Sequence, residues 1–345
     1  MSPATWPRKS PLEERLLHID PRTGSLADAR VADLPALLGP GDLLVLNDSA
    51  TMPASLQGTT EGGSSVEARL MDERSPGRFS ALLFGAGDWR TRTEDRPPPP
   101  RLAEGALLRF GADLSASVER VSPASPRLVE LAFLARGARL WSALYRAGRP
   151  IQYAYLDGPL PLWHAQTSYG SRPWCAELPS AGRPLAWRLL LDLVRRGVRI
   201  ASLTHAAGLS STGDPLLDAL LPLPERFEIP EATVRAVREA HEGGHRVIAV
   251  GTTVARALEG CAAQHGGALV AGSGVTDLRL HRAHRLQIAD GILTGMHEPT
   301  ESHFDLLEAF APPATLRRAY AHAEESGYLC HEFGDSSLIL GRLAA

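Results

Sequence analysis

The sequence predicts an α/β protein: a large mixed α/β domain, barrel-like, with a small all-β barrel domain inserted near its N-terminus. Apolar strand-like runs alternate with helical segments at both ends of the chain, which is typical of α/β domains. Between them, short β-type runs alternate with glycine, proline and serine clusters. We therefore expect the large domain to comprise residues 1–56 and 150–345 and the inserted domain residues 57–149.

The first part of the large domain is predicted as strand, turn, short helix and strand. Residues 31–38 have helical spacing and end at a Gly-Pro-Gly sequence. Residues 42–46 form a continuous apolar run, typical of a strand buried on both faces. Asn47, Asp48 and Ser49 follow directly, so we expect polar side chains at the carboxyl end of this strand.

The inserted domain shows almost no helical periodicity. Its β-type runs are 66–70, 79–84, 106–110 and 128–133. Strands of this length separated by turn residues favour a small barrel or sandwich. Four consecutive prolines, 97–100, cannot join the interior of a sheet and predict a stiff surface loop.

Alternation of helices and strands returns in the last part of the chain. The predicted helices are 184–196, 230–241, 254–263 and 306–310. The predicted strands are 198–203, 246–250, 292–293 and 338–340.

Composition excludes several classes of protein. The 345 residues are 44% hydrophobic and 22% charged with a net charge of -3, which excludes bulk disorder and a surface that is basic all over. Cys175, Cys261 and Cys330 are far apart, so neither a disulfide framework nor a zinc site is indicated. No signal peptide or spanning segment is visible, and we expect a cytoplasmic protein without membrane contact. Lys9 is the only lysine, so nearly all of the positive charge is carried by arginine. Either selection for contacts with phosphate or carboxylate groups or the base composition of the genome accounts for this bias.

The sharpest local motif is an apolar strand that passes through Gly251, Thr252 and Thr253 into a helix. Backbone N–H groups and hydroxyls at a helix N-terminus can bind a carboxylate, a phosphate or a ribose. Open α/β sheets usually bind ligands at this end of their strands. The alternative is a plain helix cap formed by one of the threonines.

The sequence His241-Glu242-Gly243-Gly244-His245 matches the letters of the zinc-protease motif H-E-x-x-H. That motif needs one unbroken helix, whereas a glycine pair here precedes a strand. We therefore interpret it as the C-terminal end of a helix.

Isolated polar residues near strand ends are candidates for chemistry. His205 and His297 each follow an apolar strand, where a histidine can serve as an acid or a base. Asp277 and Asp335 lie in turn-like contexts and could bind a ribose diol or an amine. For each histidine the alternative is a loop residue whose hydrogen bonds are satisfied within the protein, and for each aspartate it is ordinary turn formation. The sequence around Glu225 fits a structural role and a functional role equally.

A series of motifs spreads over most of the chain. They are residues 40–47, 166–167, 179–182, 225–230 and 246–253 with Arg256, Leu258 and Glu259, then Thr276–Asp277, Thr294 with His297 and Pro299, and Gly334–Asp335. In order and spacing they resemble the S-adenosylmethionine:tRNA ribosyltransferase-isomerase family of queuosine biosynthesis. The insert also falls where that family has its small β domain.

The resemblance implies an unusual reaction. S-adenosylmethionine serves as a ribosyl donor, and the ribosyl moiety is transferred and isomerised onto 7-aminomethyl-7-deazaguanine at the tRNA wobble position. Epoxyqueuosine forms, and adenine and methionine leave. The resemblance thus implies S-adenosylmethionine as a bound substrate, no metal, and a tRNA anticodon stem-loop as partner of a monomeric enzyme.

The resemblance also assigns roles to residues. His205 and His297 would be the acid–base groups, and Asp277 a third catalytic candidate beside the ribosyl site. The turn Gly251-Thr252-Thr253 with Arg256 would bind the donor, and Glu225 and Asp335 are further candidates for donor binding.

Departures from the family pattern leave two alternatives open. Ala50 and Ser55 stand where the family has arginines, and Arg183 and Leu223 stand beside or at positions where the family has histidines. The chain is thus a divergent member or a paralogue that binds or cleaves S-adenosylmethionine with a small-molecule acceptor. A third possibility is a non-enzymatic protein that holds the donor or RNA.

The arginines provide a structural test of tRNA binding. Contact with the phosphates of a stem-loop would require exposed arginines on one face of the protein. The candidates surround the proline run: Arg90, Arg92, Arg96 and Arg101.

Overall fold

The computed structural model describes residues 1–297 and 302–341, without the side chains of residues 302 and 303. The strands are β1 (Ser2–Pro3), β2 (Arg15–Ile19), β3 (Leu26–Arg30), β4 (Leu43–Asn47), β5 (Ala50–Thr51), β6 (Ser55–Thr60), β7 (Ser65–Ser75), β8 (Arg78–Phe84), β9 (Leu107–Arg109), β10 (Ser115–Val121), β11 (Leu128–Phe133), β12 (Pro173–Cys175), β13 (Arg199–His205), β14 (Glu225–Ile229), β15 (Val247–Val250), β16 (Gly272–Thr276), β17 (Gly291–Gly295), β18 (Leu329–Cys330) and β19 (Ser336–Ile339). The α-helices are α1 (Leu34–Leu37), α2 (Gly137–Ala147), α3 (Trp187–Arg195), α4 (Pro215–Asp218), α5 (Glu231–Glu242), α6 (Thr252–Gln264), α7 (Ser302–Leu307) and α8 (Pro313–Glu325).

The large domain is built on a nine-stranded mixed sheet in the order β16-β14-β13-β4-β15-β17-β19-β2-β3. Its centre is parallel: β13, β4, β15 and β17 run in the same direction, as expected for strands that are buried on both faces. The fold class is confirmed as mixed α/β with an inserted β-barrel. The large sheet is open, with β16 and β3 as its edge strands, so the predicted barrel-like form of the large domain is not observed. The closed barrel is the inserted domain.

Helices cover both faces of the large sheet. On one face α5, α6 and α8 pack around a core that includes Val45, Leu203 and Ala249. On the other face α1 and α3 pack on the alternate residues, among them Leu46 and Val250. Helix α6 is buried on every side from Val254 to Ala262, so it is the central helix of the domain.

The inserted domain is a closed antiparallel barrel with the strand order β10-β11-β8-β7-β6-β9. Its core also contains residues of α2 and two leucines of the large domain, Leu209 and Leu217, so the barrel packs directly on the segment after β13. The ion pair between Arg226 Nε and Asp72 Oδ1 at 2.6 Å joins the two domains. The boundaries 56/57 and 149/150 stay a prediction, while β6 already starts at Ser55.

The zinc-protease letters, metal-ligating groups and membrane-spanning helices are features on which the sequence makes predictions. His241 lies in the last turn of α5, Gly243 caps that helix and β15 follows, so the interpretation of the zinc-protease letters as a helix end is confirmed. Within the described residues there is no group of three or more metal-ligating side chains. No helix in the same ranges is long and apolar enough to cross a membrane. Pro299 of the family motif lies outside the described residues.

Candidate active site

The predicted site residues gather at the carboxyl ends of the parallel strands of the large sheet, a border that is called the sheet edge below. The parallel strands β13, β4, β15 and β17 all end there, so His205, Asn47, Gly251 and His297 lie along this edge. Glu225 opens β14 and pairs with Thr276 at the end of β16, which places Asp277 at the same edge. Asp335 directly precedes β19, which runs antiparallel to β17. The edge therefore contains every residue that the resemblance assigns.

His205 is fixed by its backbone and buried by its side chain. Its N–H donates to Asn47 Oδ1 at 2.9 Å, and Asn47 Nδ2 donates to its carbonyl at 3.0 Å. The imidazole has no solvent exposure, and neither ring nitrogen has a hydrogen-bond partner among the described residues. Burial, reinforced by the charge of Arg256, holds the pKa of His205 well below its usual value, so the ring is neutral.

Glu225 and Arg256 form a buried ion pair next to His205. Arg256 Nη1 donates to Glu225 Oε2, and Arg256 Nε donates to the carbonyl of Leu278 at 3.0 Å. Glu225 Oε1 accepts a hydrogen bond from the N–H of Gly208 at 2.6 Å. His205 Nε2 lies 3.5 Å from Glu225 Oε2. A carboxylate, a guanidinium and a neutral imidazole therefore meet at one point.

A cleft opens onto Glu225 from the side of the barrel. It is narrow and partly open to solvent, and it is lined by Asp72 and Ser80 of the barrel and by Gly208, Leu223 and Glu225 of the large domain. Burial raises the pKa of Glu225, although the charge of Arg256 opposes this shift. Glu225 is thus the ionisable group of the cluster that faces the cleft, and His205 lies behind it. A carboxylate whose pKa is raised by burial is a stronger base than an exposed one and is therefore a candidate proton acceptor.

The turn from β15 into α6 has the geometry that the sequence suggests. Gly251 adopts φ 91° and ψ 156°, a conformation that is essentially restricted to glycine. No side chain caps the helix, and Thr252 and Thr253 are half-buried. The alternative of a threonine helix cap is therefore wrong. The first N–H groups of a 13-residue helix remain available for an anion or a ribose.

His297 lies next to this turn and far from His205. Thr294 Oγ1 and His297 Nε2 are 3.0 Å apart, and the N–H of His297 donates to the hydroxyl of Tyr320 at 3.4 Å. Strands β4 and β15 lie between β13 and β17. At about 4.8 Å per strand the ends of β13 and β17 are roughly 14 Å apart. The two histidines therefore lie at different places along the sheet edge.

The remaining candidates differ in exposure. Asp277 is exposed and stands next to Leu278, whose carbonyl holds Arg256. Asp335 is buried, and its carboxylate accepts hydrogen bonds from Arg8 Nη1, from the N–H of Arg15 and from the N–H of Leu329. These contacts anchor the N-terminal segment, so this carboxylate has little capacity left for a ligand.

Glu14, which the sequence reasoning missed, lies at the same edge just before β2. Its carboxylate accepts a hydrogen bond from the Ser336 hydroxyl at 2.6 Å, and burial raises its pKa to about 7. Raising the pKa from 4.5 to about 7 corresponds to about 3 kcal/mol. Burial favours the protonated carboxyl in the folded state, so this stabilisation is complete below pH 4.5 and disappears as the pH rises through about 7.

The Glu14→Gln variant should therefore lose this pH dependence. Relative to the variant, the wild-type free energy of unfolding should fall by about 3 kcal/mol between pH 4.5 and 8.5. Urea unfolding at a series of pH values measures this difference. The exposed neighbour Glu13 provides the control, since Glu13→Gln should follow the wild-type curve. Parallel curves for wild type and Glu14→Gln would contradict the assignment.

The arginines around the proline run do not form a free basic face. Arg90 pairs with Asp88 and Arg92 pairs with Glu94. Arg96 is buried and pairs with Glu67 inside the barrel. Three of the four arginines are thus paired with carboxylates, which weakens the prediction that these residues contact the phosphates of a tRNA.

Comparisons with known proteins match the whole chain. The family described as queuosine biosynthesis protein matches residues 2–339. S-adenosylmethionine:tRNA ribosyltransferase-isomerase from Gloeobacter violaceus is 35% identical over 89% of this chain and 84% of its own length. The protein of the same name from Thermus thermophilus is 34% identical over 91% and 89%. The crystal structure of S-adenosylmethionine tRNA ribosyltransferase from Thermotoga maritima has a TM-score of 0.53 at 24% identity, covers 98% of this chain and 96% of its own, and supports the fold.

Proposed function

The chain belongs to the queuosine biosynthesis protein family, which includes the S-adenosylmethionine:tRNA ribosyltransferase-isomerases, and from this premise we propose that it is such an enzyme. It uses S-adenosylmethionine as a ribosyl donor, transfers and isomerises the ribosyl moiety onto 7-aminomethyl-7-deazaguanine in tRNA, and releases adenine and methionine. The single observation that carries the proposal is the convergence of His205, Glu225, Gly251, Asp277, His297 and Asp335, from distant segments of the chain, at one sheet edge. Distant segments of a chain meet in this way where a site is built.

The donor is proposed to lie along the sheet edge, between the Glu225 cluster and His297. The N-terminus of α6 with Thr252 and Thr253 supplies N–H and hydroxyl donors for the ribosyl or carboxylate oxygens. Arg256 Nη2 is buried and has no hydrogen-bond partner in the described ranges, and the same holds for both ring nitrogens of His205. Unpaired buried polar atoms are costly, so these atoms fit a site that a polar ligand completes.

Two groups are proposed to move protons. Glu225 would remove a proton close to the sulfonium, since its carboxylate faces the cleft and its pKa is raised by burial. Arg256 and His205 would position this carboxylate and tune its basicity. His297, at the other end of the edge, would assist the departure of adenine, with Thr294 orienting its ring. Asp277 stands near the Arg256 side of the site.

The acceptor is proposed to be the wobble nucleotide of a tRNA anticodon stem-loop. An RNA loop nucleotide can be turned out of its stack to reach a cleft such as the one between the barrel and the large domain. All the groups named here come from one chain, so the site needs no second copy, and we propose that the enzyme acts as a monomer in the cytoplasm.

The experiment is incubation with S-adenosylmethionine, with and without tRNA that carries 7-aminomethyl-7-deazaguanine. Adenine and methionine are followed by mass spectrometry. We expect their release to depend on this tRNA, and tRNA that carries an ordinary guanine at the wobble position is the control. Release without tRNA would instead indicate a small-molecule acceptor or simple donor cleavage. Tight binding of the donor without turnover would indicate a binding protein.

A further inference from the structure

A second cavity opens beside the same sheet edge, outside the cluster of Glu225, Arg256 and His205. It is partly open to solvent and has room for about one water-sized group, such as an ammonium head. Its walls are partly apolar, formed by Ile151, Leu160 and Phe333, among others. Its polar lining consists of Thr51, Glu177 and Glu332. None of the residues that the proposed reaction uses lines it.

The cavity adjoins the proposed active site through two short segments. Thr51 lies in β5, which follows the carboxyl end of β4 and pairs with β12. At the end of β12 the Cys175 thiol donates to the carbonyl of His205 at 3.3 Å, and Glu177 follows two residues later. The lining of the cavity is therefore connected to the carboxyl ends of β4 and β13.

Two buried oxygen atoms of the cavity are unsatisfied. Thr51 has an exposed fraction of 1%, and its hydroxyl has no hydrogen-bond partner in residues 1–297 and 302–341. Glu332 Oε2 is buried and likewise has none within those ranges, and the Glu332 carboxyl is held by its own backbone N–H. The ionised Glu332 carboxylate can only accept hydrogen bonds, so the partner that this form lacks is a donor.

The position of Glu332 is fixed by an unusual turn. His331 adopts a φ of 68°, which non-glycine residues rarely do, and its ring stacks on Tyr155 at a centroid distance of 4.6 Å. A Cβ on Gly334 would lie 2.6 Å from the backbone of Cys330, so the turn is also tightly closed. Backbone conformations of this kind persist where surrounding contacts enforce them, frequently at ligand sites.

Glu177 is the second carboxylate in the lining of the cavity. Glu177 accepts hydrogen bonds from the Tyr153 hydroxyl and from the N–H of Ser210. Burial raises the pKa of Glu332 to about 7 and raises that of Glu177 as well. A bound cation would favour the ionised form of both groups, so its binding should release protons near neutral pH.

The lining favours an organic cation over a metal ion. Mg²⁺ and Ca²⁺ require six or more oxygen ligands at short range, whereas this cavity offers two carboxylates and one hydroxyl among aliphatic and aromatic side chains. A primary ammonium group needs three acceptors and tolerates apolar walls around the carbon chain that carries it.

We propose that this cavity, the Glu332 cavity, binds a primary ammonium group of a substrate through Glu332, Thr51 and Glu177. The inference rests on the proposed function, in which two reactants carry such a group. One is the methionine part of the donor, and the other is the aminomethyl group of the deazaguanine. Both present the same chemistry to the cavity, and the experiment separates them.

The test is titration calorimetry of wild type and Glu332→Gln with two probes, S-adenosylmethionine and free 7-aminomethyl-7-deazaguanine. Each probe is compared with its analogue without the amine, which is the deamino form of S-adenosylmethionine, built on 4-(methylthio)butanoate, for the first and 7-methyl-7-deazaguanine for the second. For one amine probe we expect the affinity to fall about 10- to 100-fold in Glu332→Gln, while its amine-free analogue binds both proteins equally. The probe that responds identifies which reactant places its ammonium in the cavity.

Further variants distinguish a specific loss of amine binding from a general loss of folded protein. Glu325→Gln, an exposed position at the end of α8, should bind both probes like the wild type. Thr51→Val should weaken the same amine probe several-fold. Titration at pH 7 in two buffers of different ionisation enthalpy should show proton release with the wild type and its loss in Glu332→Gln.

Unchanged affinity of Glu332→Gln and Thr51→Val for both amine probes would overturn the inference. The inference would also be overturned if Glu332→Gln lost the same affinity for an amine probe and for its amine-free analogue. Binding of Mg²⁺ that depends on Glu332, without any effect of the substitution on the amine probes, would overturn it as well. These outcomes are separate from failure of the proposed function. If the wild type releases no adenine while Glu332→Gln still selectively loses affinity for an amine probe, that result would support the ammonium site and reject the ribosyl transfer.

Discussion

Replacing Glu225 by glutamine is expected to lower the rate of tRNA-dependent adenine release by about 10²- to 10⁴-fold, the range of a lost general base. Glutamine keeps the shape of the side chain, and its one amide oxygen can accept from either Gly208 or Arg256, which donate to different oxygens of the Glu225 carboxylate. It cannot take up a proton. The affinity for S-adenosylmethionine should therefore change much less than kcat, and single-turnover measurements of adenine release separate the two.

The pH dependence gives a second signature of Glu225. A general base is active when it is deprotonated, so kcat/KM should rise with pH through the pKa of Glu225, which burial raises above its ordinary value of 4.5. This acid limb should be absent from the residual activity of Glu225→Gln. An unshifted acid limb in the variant would assign the limb to another group.

A matched control lies on the same strand. Glu228 stands three positions further along β14 and pairs with Arg172 at 2.7 Å, with both side chains partly exposed. Glu228→Gln should retain activity within a few-fold of the wild type. Activity of Glu225→Gln within threefold of the wild type would remove Glu225 from the proton transfer.

Replacing Arg256 by methionine is expected to cause the largest loss of stability, about 3–5 kcal/mol in the free energy of unfolding at pH 8. The side chain of Arg256 is 6% exposed and that of Glu225 is 11% exposed. Without the guanidinium, the carboxylate of Glu225 remains buried with Gly208 as donor and no countercharge from Arg256. Denaturant unfolding measures the loss.

The loss should depend on pH with a definite sign. Removing Arg256 raises the folded-state pKa of Glu225 further above that of the unfolded chain. The destabilisation should thus be small below pH 4.5, where the carboxyl is protonated in both states, and should grow as the pH rises through the folded-state pKa.

Two further proteins complete this test. The double variant Arg256→Met/Glu225→Gln should recover most of the lost stability, because no buried carboxylate remains. Arg199→Met, which breaks the Arg199–Glu239 pair at 2.6 Å between partly exposed side chains, should cost no more than about 1 kcal/mol. Additive losses in the double variant would show that Arg256 does not act through Glu225.

The sequence predicts the framework of this molecule well, since its signals are local. The buried strand 42–46 and the strand leading to His205 appear within one residue or two of their predicted positions as β4 and β13. Strand β10 and strand β14 were not predicted, although β14 alternates buried Phe227 and Ile229 with less buried residues. Helix α2, which packs on the barrel, was also not predicted.

The candidate site could be predicted only in part. Strand-end residues such as His205 and Gly251 stand out in a sequence, because parallel strands bring their carboxyl ends together. Which residue faces a cleft does not follow from such signals. The resemblance places His205 first and Glu225 second, whereas the geometry buries His205 behind Glu225. Thr51, Glu177 and Glu332 meet from three distant segments with no local signal at all.

The charge balance also needed the structure before it could be interpreted. Binding of a tRNA stem-loop would require arginines such as those around the proline run to gather on one face. In the fold, Arg96 closes the barrel interior with Glu67, and Arg90 and Arg92 pair with carboxylates two residues away. Sequence counts give the number of charges, but they do not show which charges neutralise one another.

Transfer of isotope from the donor to tRNA tests the central claim most directly. S-adenosylmethionine labelled with ¹³C throughout its ribose is incubated with the protein and with tRNA that carries 7-aminomethyl-7-deazaguanine, and the nucleosides of the digested tRNA are analysed by mass spectrometry. We expect all five labelled carbons in the modified wobble nucleoside, together with equimolar unlabelled adenine. Adenine release with the label remaining in small molecules, or no turnover of the donor at all, would contradict the proposed function.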